Sequence, residues 1–296
     1  NIYKVSGYFI GFTVVALGTS LPELASSIQA IKVVNSPEIA IGNIFGSNIA
    51  NILLILGMIA FVNPIFFPNN NDQKNQTLVV LIITIIVAII FYIIAYVKDL
   101  DTKFFGIFLL LLLFIFLLMQ YKVESKQSFQ INSGYNYSQF ISYIILILGL
   151  LFLYFGSKYF IIGSKMLAQY YNVSEAIVGI TIVAFGTSLP ELSTGVVAAL
   201  RKQSNLAVGT ILGSNVYNIV GIFAIILLLK SQGPHIFSKA LMLSFNIMIL
   251  VTFIFVYKIR FGLKILNIKP FHLGRKSGTI FLLLYFIFII YNYFSY

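Results

Sequence analysis

The segment Gly18-Thr19-Ser20-Leu21-Pro22-Glu23-Leu24 recurs as Gly186-Thr187-Ser188-Leu189-Pro190-Glu191-Leu192. A second pair follows it, in which Gly46-Ser47-Asn48-Ile49-Ala50-Asn51-Ile52 is matched by Gly213-Ser214-Asn215-Val216-Tyr217-Asn218-Ile219. The offsets between copies are 168 and 167 residues, which indicates one duplicated unit. Each copy carries an acid inside an apolar run that Gly and Pro interrupt. This pattern is typical of ion sites between the repeats of membrane transporters.

The composition predicts an all-α integral membrane protein. Hydrophobic residues make up 59% of the 296 residues and charged residues 9%, and the mean hydropathy is +0.98. A membrane span needs about 20 apolar residues. The chain offers nine such runs, and their continuity excludes the alternating pattern of a transmembrane barrel. Their approximate ranges are 7–33, 38–62, 76–97, 103–121, 139–168, 175–200, 206–229, 237–257 and 277–295.

The net charge of +11 is distributed as in a membrane protein and does not indicate nucleic acid. When nine helices alternate across the bilayer, twelve of the nineteen basic residues fall on one side. The positive-inside rule places that side in the cytoplasm and the C-terminus outside the cell. We therefore expect a multi-pass protein of the cell membrane whose basic loop contacts anionic headgroups. That loop, 258–276, contains Lys258, Arg260, Lys264, Lys269, Arg275 and Lys276.

The duplication predicts an inverted repeat. The run at 139–168 belongs to the second copy, and its counterpart would precede residue 1. We therefore expect a unit of five helices, with nine of ten spans present and about 25–30 residues, one span, missing before Asn1. An odd number of helices inverts the second copy, so both motif helices would meet near the membrane midplane. The predicted divisions are 1–121, a cytoplasmic connection at 122–138, and 139–296.

Glu23 and Glu191 are the only acids deep within apolar runs. A charge at that depth costs several kcal/mol, so each must be protonated, paired or bound to a cation. Lys158 and Lys165 are the only nearby basic residues, which favours mobile cations as the partners. A single copy would also fit a proline-kinked packing helix with a hydrogen-bonded acid, but two copies, each followed by Gly-Ser-Asn, make that reading improbable.

The polar residues around the two acids favour calcium and sodium. Hydroxyls and amides lie four residues apart on shared helix faces, as in Thr19 with Glu23 and Ser47 with Asn51. Pro22 and Pro190 should free carbonyls in the preceding turn and loosen the helix just before each carboxylate. These oxygen donors suit Ca²⁺ and Na⁺ rather than Zn²⁺, Cu or Fe, and two carboxylates neutralise one divalent ion. The absence of cysteine excludes thiolate metal sites and disulfides, and we expect no cofactor.

At these motifs the sequence resembles the sodium/calcium exchanger family of the cation/calcium antiporter superfamily. The resemblance implies ten helices in two inverted halves, with cations at the centre. It implies that the 139–168 helix slides during alternating access. It also implies a ligand set in which Ala16 and Ala184 contribute backbone carbonyls. The full set is Glu23, Glu191, Thr19, Ser20, Ser47, Asn51, Thr187, Ser188, Ser214, Asn218, Ala16 and Ala184.

One departure from the family affects the expected function. Asn218 stands where many members carry Asp, which leaves two carboxylates and weakens the analogy to the potassium-dependent branch. We expect a monomeric secondary antiporter, not an enzyme, that exchanges sodium for calcium. Proton/calcium exchange is the alternative. A calcium channel or a non-transporting scaffold would leave the duplicated acids harder to explain.

Overall fold

A computed structural model of the chain describes residues 7–66, 71–97, 100–124, 139–229, 238–261 and 272–294. In the first half, short π-helical segments interrupt two of the helices. The elements there are α1 (Gly7–Ile10), π1 (Gly11–Val15), α2 (Ala16–Thr19), α3 (Leu21–Lys32), α4 (Pro37–Ala50), π2 (Asn51–Ile55), α5 (Leu56–Val62), β1 (Ile65–Phe66), α6 (Asn71–Tyr96) and α7 (Lys103–Glu124).

The second half repeats this order after one additional long helix. Its elements are α8 (Gln139–Tyr170), α9 (Glu175–Val178), π3 (Gly179–Val183), α10 (Ala184–Thr187), α11 (Leu189–Leu200), α12 (Ser204–Val216), π4 (Tyr217–Ile222), α13 (Phe223–Leu229), α14 (Lys239–Phe261), β2 (His272–Leu273) and α15 (Arg275–Phe294). The turn before α4 and the turn before α12 also correspond, because Asn35 and Lys202 both adopt positive φ, of 48° and 59°.

The all-α membrane architecture expected from the sequence is confirmed. Among the described residues, seven helices are long and apolar enough to cross a membrane, and two bent helix pairs bring the number to nine if each pair is one span. The bent pairs are Gly11–Thr19 with Leu21–Lys32, and Glu175–Thr187 with Leu189–Leu200. These elements coincide with the nine predicted runs. The proposed boundaries of the repeats, at 121, 138 and 139, stay a prediction.

The two halves interlock through their motif helices. Helix α4 packs against π3, and α12 packs against π1. A Cβ atom added to Gly46 would lie 2.2 Å from the carbonyl oxygen of Ile180, and one added to Gly213 would lie 2.3 Å from that of Phe12. Only glycine permits this approach of backbone to backbone. The glycines of the second motif therefore set the distance between the halves.

Helix α8 lies at the edge of this core. Most of its apolar side chains are exposed, whereas those of α4 and α12 are almost entirely buried. Near its C-terminus, the Lys165 ammonium donates to the carbonyl of Val34 at 2.7 Å and pairs with Glu175 at 3.2 Å. Lys165, one of the two nearby basic residues, therefore pairs with Glu175 at the start of α9, and its charge does not neutralise a central glutamate.

The structure also corrects the placement of Lys258. The sequence assigned it to a basic cytoplasmic loop, but α14 continues to Phe261 and Lys258 is 1% exposed. Its ammonium donates to the carbonyl of His272, which also pairs with Phe66 in a two-stranded antiparallel sheet. The Lys258 side chain can be buried because the His272 carbonyl accepts a hydrogen bond from its ammonium group. Arg260 also lies in α14, and Arg275 and Lys276 begin α15 rather than lying in the predicted loop. Lys264, Lys269 and most of the predicted connection at 122–138 lie outside the described residues, at 262–271 and 125–138.

Candidate functional site: a buried oxygen cluster between two bent helices

Each copy of the Gly-Thr-Ser-Leu-Pro-Glu motif bends its helix at the serine. The bends are 40° after Thr19 and 42° after Thr187, and Ser20 and Ser188 adopt nearly the same backbone angles. Proline follows within the first two positions of the next helix, where its missing N–H costs least. Glu23 and Glu191 consequently lie in the first turns of α3 and α11. The predicted loosening of the helix before each carboxylate is confirmed.

Four π-helical segments surround these bends, and the sequence analysis did not predict them. Two precede the bends (π1 and π3), and two begin beside the amide positions of the second motif (π2 at Asn51 and π4 at Tyr217). A π-helical turn interrupts the regular hydrogen-bond ladder and often occurs at functional sites. Their matching positions show that the duplicated unit repeats this irregular backbone.

The Glu23 carboxylate is completely buried and lies against the opposite bend. Its Oε1 accepts a hydrogen bond from the Ser188 hydroxyl at 3.2 Å. The neighbouring Thr187 hydroxyl donates to Asn43 at 2.9 Å, and the Ser47 hydroxyl reaches the carbonyl of Ala184 at 3.4 Å. We call these residues the Glu23 half. It combines α3 and α4 of the first repeat with the bend of the second.

The Glu191 carboxylate mirrors this arrangement. It is also completely buried, and its Oε1 accepts hydrogen bonds from Ser20 at 3.4 Å and from Ser214 at 3.2 Å. The Thr19 hydroxyl lies 3.4 Å from that of Ser214 and 3.3 Å from the carbonyl of Ala16. These residues form the Glu191 half.

Asparagines of the second motif form a symmetric amide network. Asn51 donates to the Asn215 side-chain oxygen at 2.9 Å, and Asn218 donates to that of Asn48 at 3.3 Å. Both bonds cross between the repeats. Each uses the amide nitrogen of a predicted ligand residue, which leaves the amide oxygen available.

Four buried oxygens in this region accept no hydrogen bond. They are Glu23 Oε2, Glu191 Oε2, Asn51 Oδ1 and Asn218 Oδ1. Unsatisfied buried acceptors are costly, and carboxylates especially so. A bound cation would satisfy them. Within the described part of the chain, no group of three or more Asp, Glu or His could hold a metal, so a cation here would depend on two carboxylates and neutral oxygens.

The predicted backbone ligands are positioned but not free. The carbonyl of Ala16 accepts from the backbone N–H of Ser20 at 3.0 Å, and that of Ala184 accepts from Ser188 at 3.1 Å. Each carbonyl oxygen has a second lone pair. The structure thus gathers all twelve predicted residues into the two halves and the amide network, but it tests none of them as a ligand.

Asn43 is a member of the cluster that the motif comparison missed. Its side chain is fully buried and contacts Thr187, Ser47, Ser27 and the backbone of Glu23. The equivalent position in the second repeat is Thr210, so the residue is not duplicated. The only signal in the sequence was an amide one helical turn before Ser47.

Comparison with known proteins identifies the family. The model of the family described as sodium/calcium exchanger protein matches residues 1–122 and 141–294. The chain belongs to the sodium/calcium exchanger family. This assignment confirms the resemblance carried by the two motif pairs, and it makes the chain a membrane exchanger rather than an enzyme.

Individual relatives are similar in sequence to this exchanger over most of its length. An uncharacterized membrane protein of Methanocaldococcus jannaschii is 35% identical, across 96% of this chain and 86% of the relative. The sodium/calcium exchanger MaX1 of Methanosarcina acetivorans is 29% identical, across 73% and 71%. A solved structure of the sodium/calcium exchanger from Methanococcus jannaschii is 30% identical, covers 97% of this chain and 87% of that chain, and gives a TM-score of 0.68.

Proposed function

We propose that this exchanger moves calcium across the cell membrane in exchange for sodium, using the cluster between Glu23 and Glu191 as one shared site. The observation that carries the proposal is the pair of completely buried glutamates, each with one oxygen that accepts a serine hydroxyl and one that accepts nothing. Within the described residues, neither glutamate forms an ion pair with a basic side chain. The unsatisfied oxygens favour a mobile cation as the partner of the two glutamates.

The chemistry of the cluster favours these two ions. Carboxylate, hydroxyl, amide and carbonyl oxygens are the ligands of hard cations, and Ca²⁺ takes six to eight of them in flexible geometry. Two carboxylates balance the charge of one Ca²⁺. Sodium would occupy the same oxygens, so the two ions would exclude each other. The MaX1 exchanger and the Methanococcus jannaschii exchanger, both named for these ions, support this choice.

Coupling follows from the cost of an empty site. If both glutamates lack a cation, a change of access would carry two uncompensated charges through the membrane interior. Only the occupied site would reorient readily. We propose that helix α8, with its exposed apolar surface, slides against the core during this change. With several sodium ions per calcium, turnover would be electrogenic.

The test is calcium uptake by reconstituted vesicles. Vesicles loaded with sodium are diluted into sodium-free medium that contains radioactive calcium, and the control has equal sodium on both sides. The proposal expects uptake only with the outward sodium gradient. Uptake driven by a pH gradient without sodium would indicate proton/calcium exchange instead. Uptake that needs no counter-ion gradient and exceeds carrier rates would indicate a channel.

A further inference from the structure

The two halves of the cluster differ at one position, although the motifs that form them are duplicated. Asn43 and Thr210 occupy equivalent places, one turn before Ser47 and one turn before Ser214. The Thr210 hydroxyl bonds the carbonyl of Leu206 in its own helix, at 2.9 Å. The Asn43 side chain instead points into the Glu23 half, and both of its polar atoms have partners there.

The Asn43 amide uses all of its hydrogen-bonding capacity. Its nitrogen donates to the carbonyl of Glu23 at 3.3 Å and to the Ser27 hydroxyl at 3.2 Å. Its oxygen accepts from the Thr187 hydroxyl at 2.9 Å and from the Ser47 hydroxyl at 3.4 Å. A side-chain amide offers two donors and two acceptor lone pairs. The orientation of this amide is therefore fixed from both ends.

The Asn43 oxygen is a side-chain acceptor that the Thr187 and Ser47 hydroxyls share. A hydroxyl has one proton and two lone pairs, so it can ligate a cation only when its proton is directed elsewhere. Asn43 Oδ1 is such an acceptor for both hydroxyls, beside the carbonyl of Val183 at 3.0 Å from Thr187 and the carbonyl of Ala184 at 3.4 Å from Ser47. In the Glu191 half no amide does so, and the Ser214 hydroxyl donates to the Glu191 carboxylate itself at 3.2 Å. Its counterpart Ser47 reaches Asn43 and the carbonyl of Ala184 instead of Glu23.

We propose that Asn43 is a positioning residue for the cation site. Its oxygen gives the Thr187 and Ser47 hydroxyls a shared side-chain acceptor away from the Glu23 carboxylate, which leaves their lone pairs available for a cation. In the Glu191 half, the Ser214 hydroxyl has the carboxylate itself as its acceptor. The inference rests on the proposed function, because it assumes that the cluster binds calcium. The two halves of the cluster therefore differ in how their hydroxyls are held, although the motifs that form them are duplicated.

The test replaces Asn43 by the residue of the other half. Asn43→Thr removes the shared acceptor, and Thr210→Val is the matched control because it removes a hydroxyl that bonds only its own helix. Substituting residues that orient metal ligands commonly weakens metal binding about 10- to 100-fold. We expect Asn43→Thr to raise the dissociation constant of calcium about tenfold, and Thr210→Val to change it less than about twofold.

A double-mutant cycle separates positioning from general destabilisation. Thr187→Val removes one of the hydroxyls that Asn43 directs, and the double variant Asn43→Thr/Thr187→Val removes both partners. Residues that act through each other give non-additive effects. We expect the double variant to bind calcium little more weakly than the weaker single variant. Multiplied effects of the two substitutions would overturn the inference, because a role in packing alone would be independent of Thr187.

The outcomes also separate this inference from the proposed function. Wild-type protein that binds no sodium-displaceable calcium would overturn both. Calcium binding that Thr187→Val weakens but Asn43→Thr leaves within about twofold would keep the proposed function and overturn the role of Asn43. Equal melting temperatures of Asn43→Thr and Thr210→Val, with calcium binding weakened only in the first, would support the inference.

Discussion

Glu23 and Glu191 define the site at the scale of single residues. Each is 0% exposed, and each has a serine from the other repeat on one oxygen and no donor on the second. A glutamine would keep the size of the side chain but remove the charge. It would also place an amide N–H₂ group among oxygens that serve as acceptors.

We therefore expect Glu23→Gln and Glu191→Gln each to abolish sodium-dependent calcium uptake. One remaining carboxylate cannot neutralise Ca²⁺, and the weakened site should lose at least about 10–100-fold in affinity. The measurement is radioactive calcium uptake into sodium-loaded vesicles. Asp101→Asn is the charge-matched control, because Asp101 is exposed and, among the described residues, its carboxylate accepts from the backbone N–H of Lys103. Full uptake by either glutamine variant would refute the site.

At this scale the sequence predicted the duplicated ligands but not Asn43. The comparison of two copies selects residues present in both, such as Ser47 and Ser214. Asn43 stands opposite Thr210, so the same comparison removes it. Its role depends on contacts with Thr187, which is 144 residues away. Such a contact has no local pattern in the sequence.

At the scale of helices, the sequence predicted some irregularities of the backbone, whereas others depend on tertiary packing. Proline in each motif predicted a loosened helix just before each carboxylate, because proline removes a backbone donor. The structure shows this loosening as the bends at Ser20 and Ser188. The π segments could not be predicted in this way. Their sequences, Gly11–Val15 and Asn51–Ile55 among them, contain no proline and have no composition that distinguishes them from a regular helical turn. Lys258 was misplaced because its carbonyl partner at His272 lies beyond the end of the helix.

Close packing between elements predicts the effect of a methyl group. The Cβ of Gly46→Ala would lie 2.6 Å from that of Ala184 and still closer to the Ile180 carbonyl. Overpacking of this kind costs about 1–3 kcal/mol, so we expect a lower melting temperature and weaker calcium binding. Gly156→Ala in α8 is the control, since nothing lies within 4 Å of its added Cβ. An unchanged melting temperature for Gly46→Ala would contradict the interlocked packing.

The attachment of α8 to the core gives a second prediction at this scale. Lys165→Met removes both the ion pair with Glu175 and the hydrogen bond to Val34. A partly exposed ion pair contributes only about 0–1 kcal/mol. We expect faster hydrogen exchange near the C-terminus of α8, by up to about fivefold, and unchanged calcium affinity. Lys158→Met, two turns earlier, is the control. Equal exchange in both variants would show that Lys165 does not hold the helix.

At the scale of the whole molecule, the orientation in the membrane can be tested directly by cysteine labelling. The chain contains no cysteine, so each introduced cysteine is unique. The distribution of Lys and Arg predicts a cytoplasmic connection at 122–138 and an extracellular C-terminus. In intact cells, a membrane-impermeant maleimide should label Ser295→Cys but should label Lys126→Cys only after permeabilisation. The reverse pattern would invert the orientation.

The two repeats together form one site, and this is the central claim. Calcium and sodium should compete for it, because both need the oxygens between Glu23 and Glu191. The most direct measurement is equilibrium binding of calcium to purified protein at a series of sodium concentrations. The account predicts that sodium raises the apparent dissociation constant of calcium steeply while the number of calcium sites stays constant. A dissociation constant that does not change with sodium would contradict a shared site.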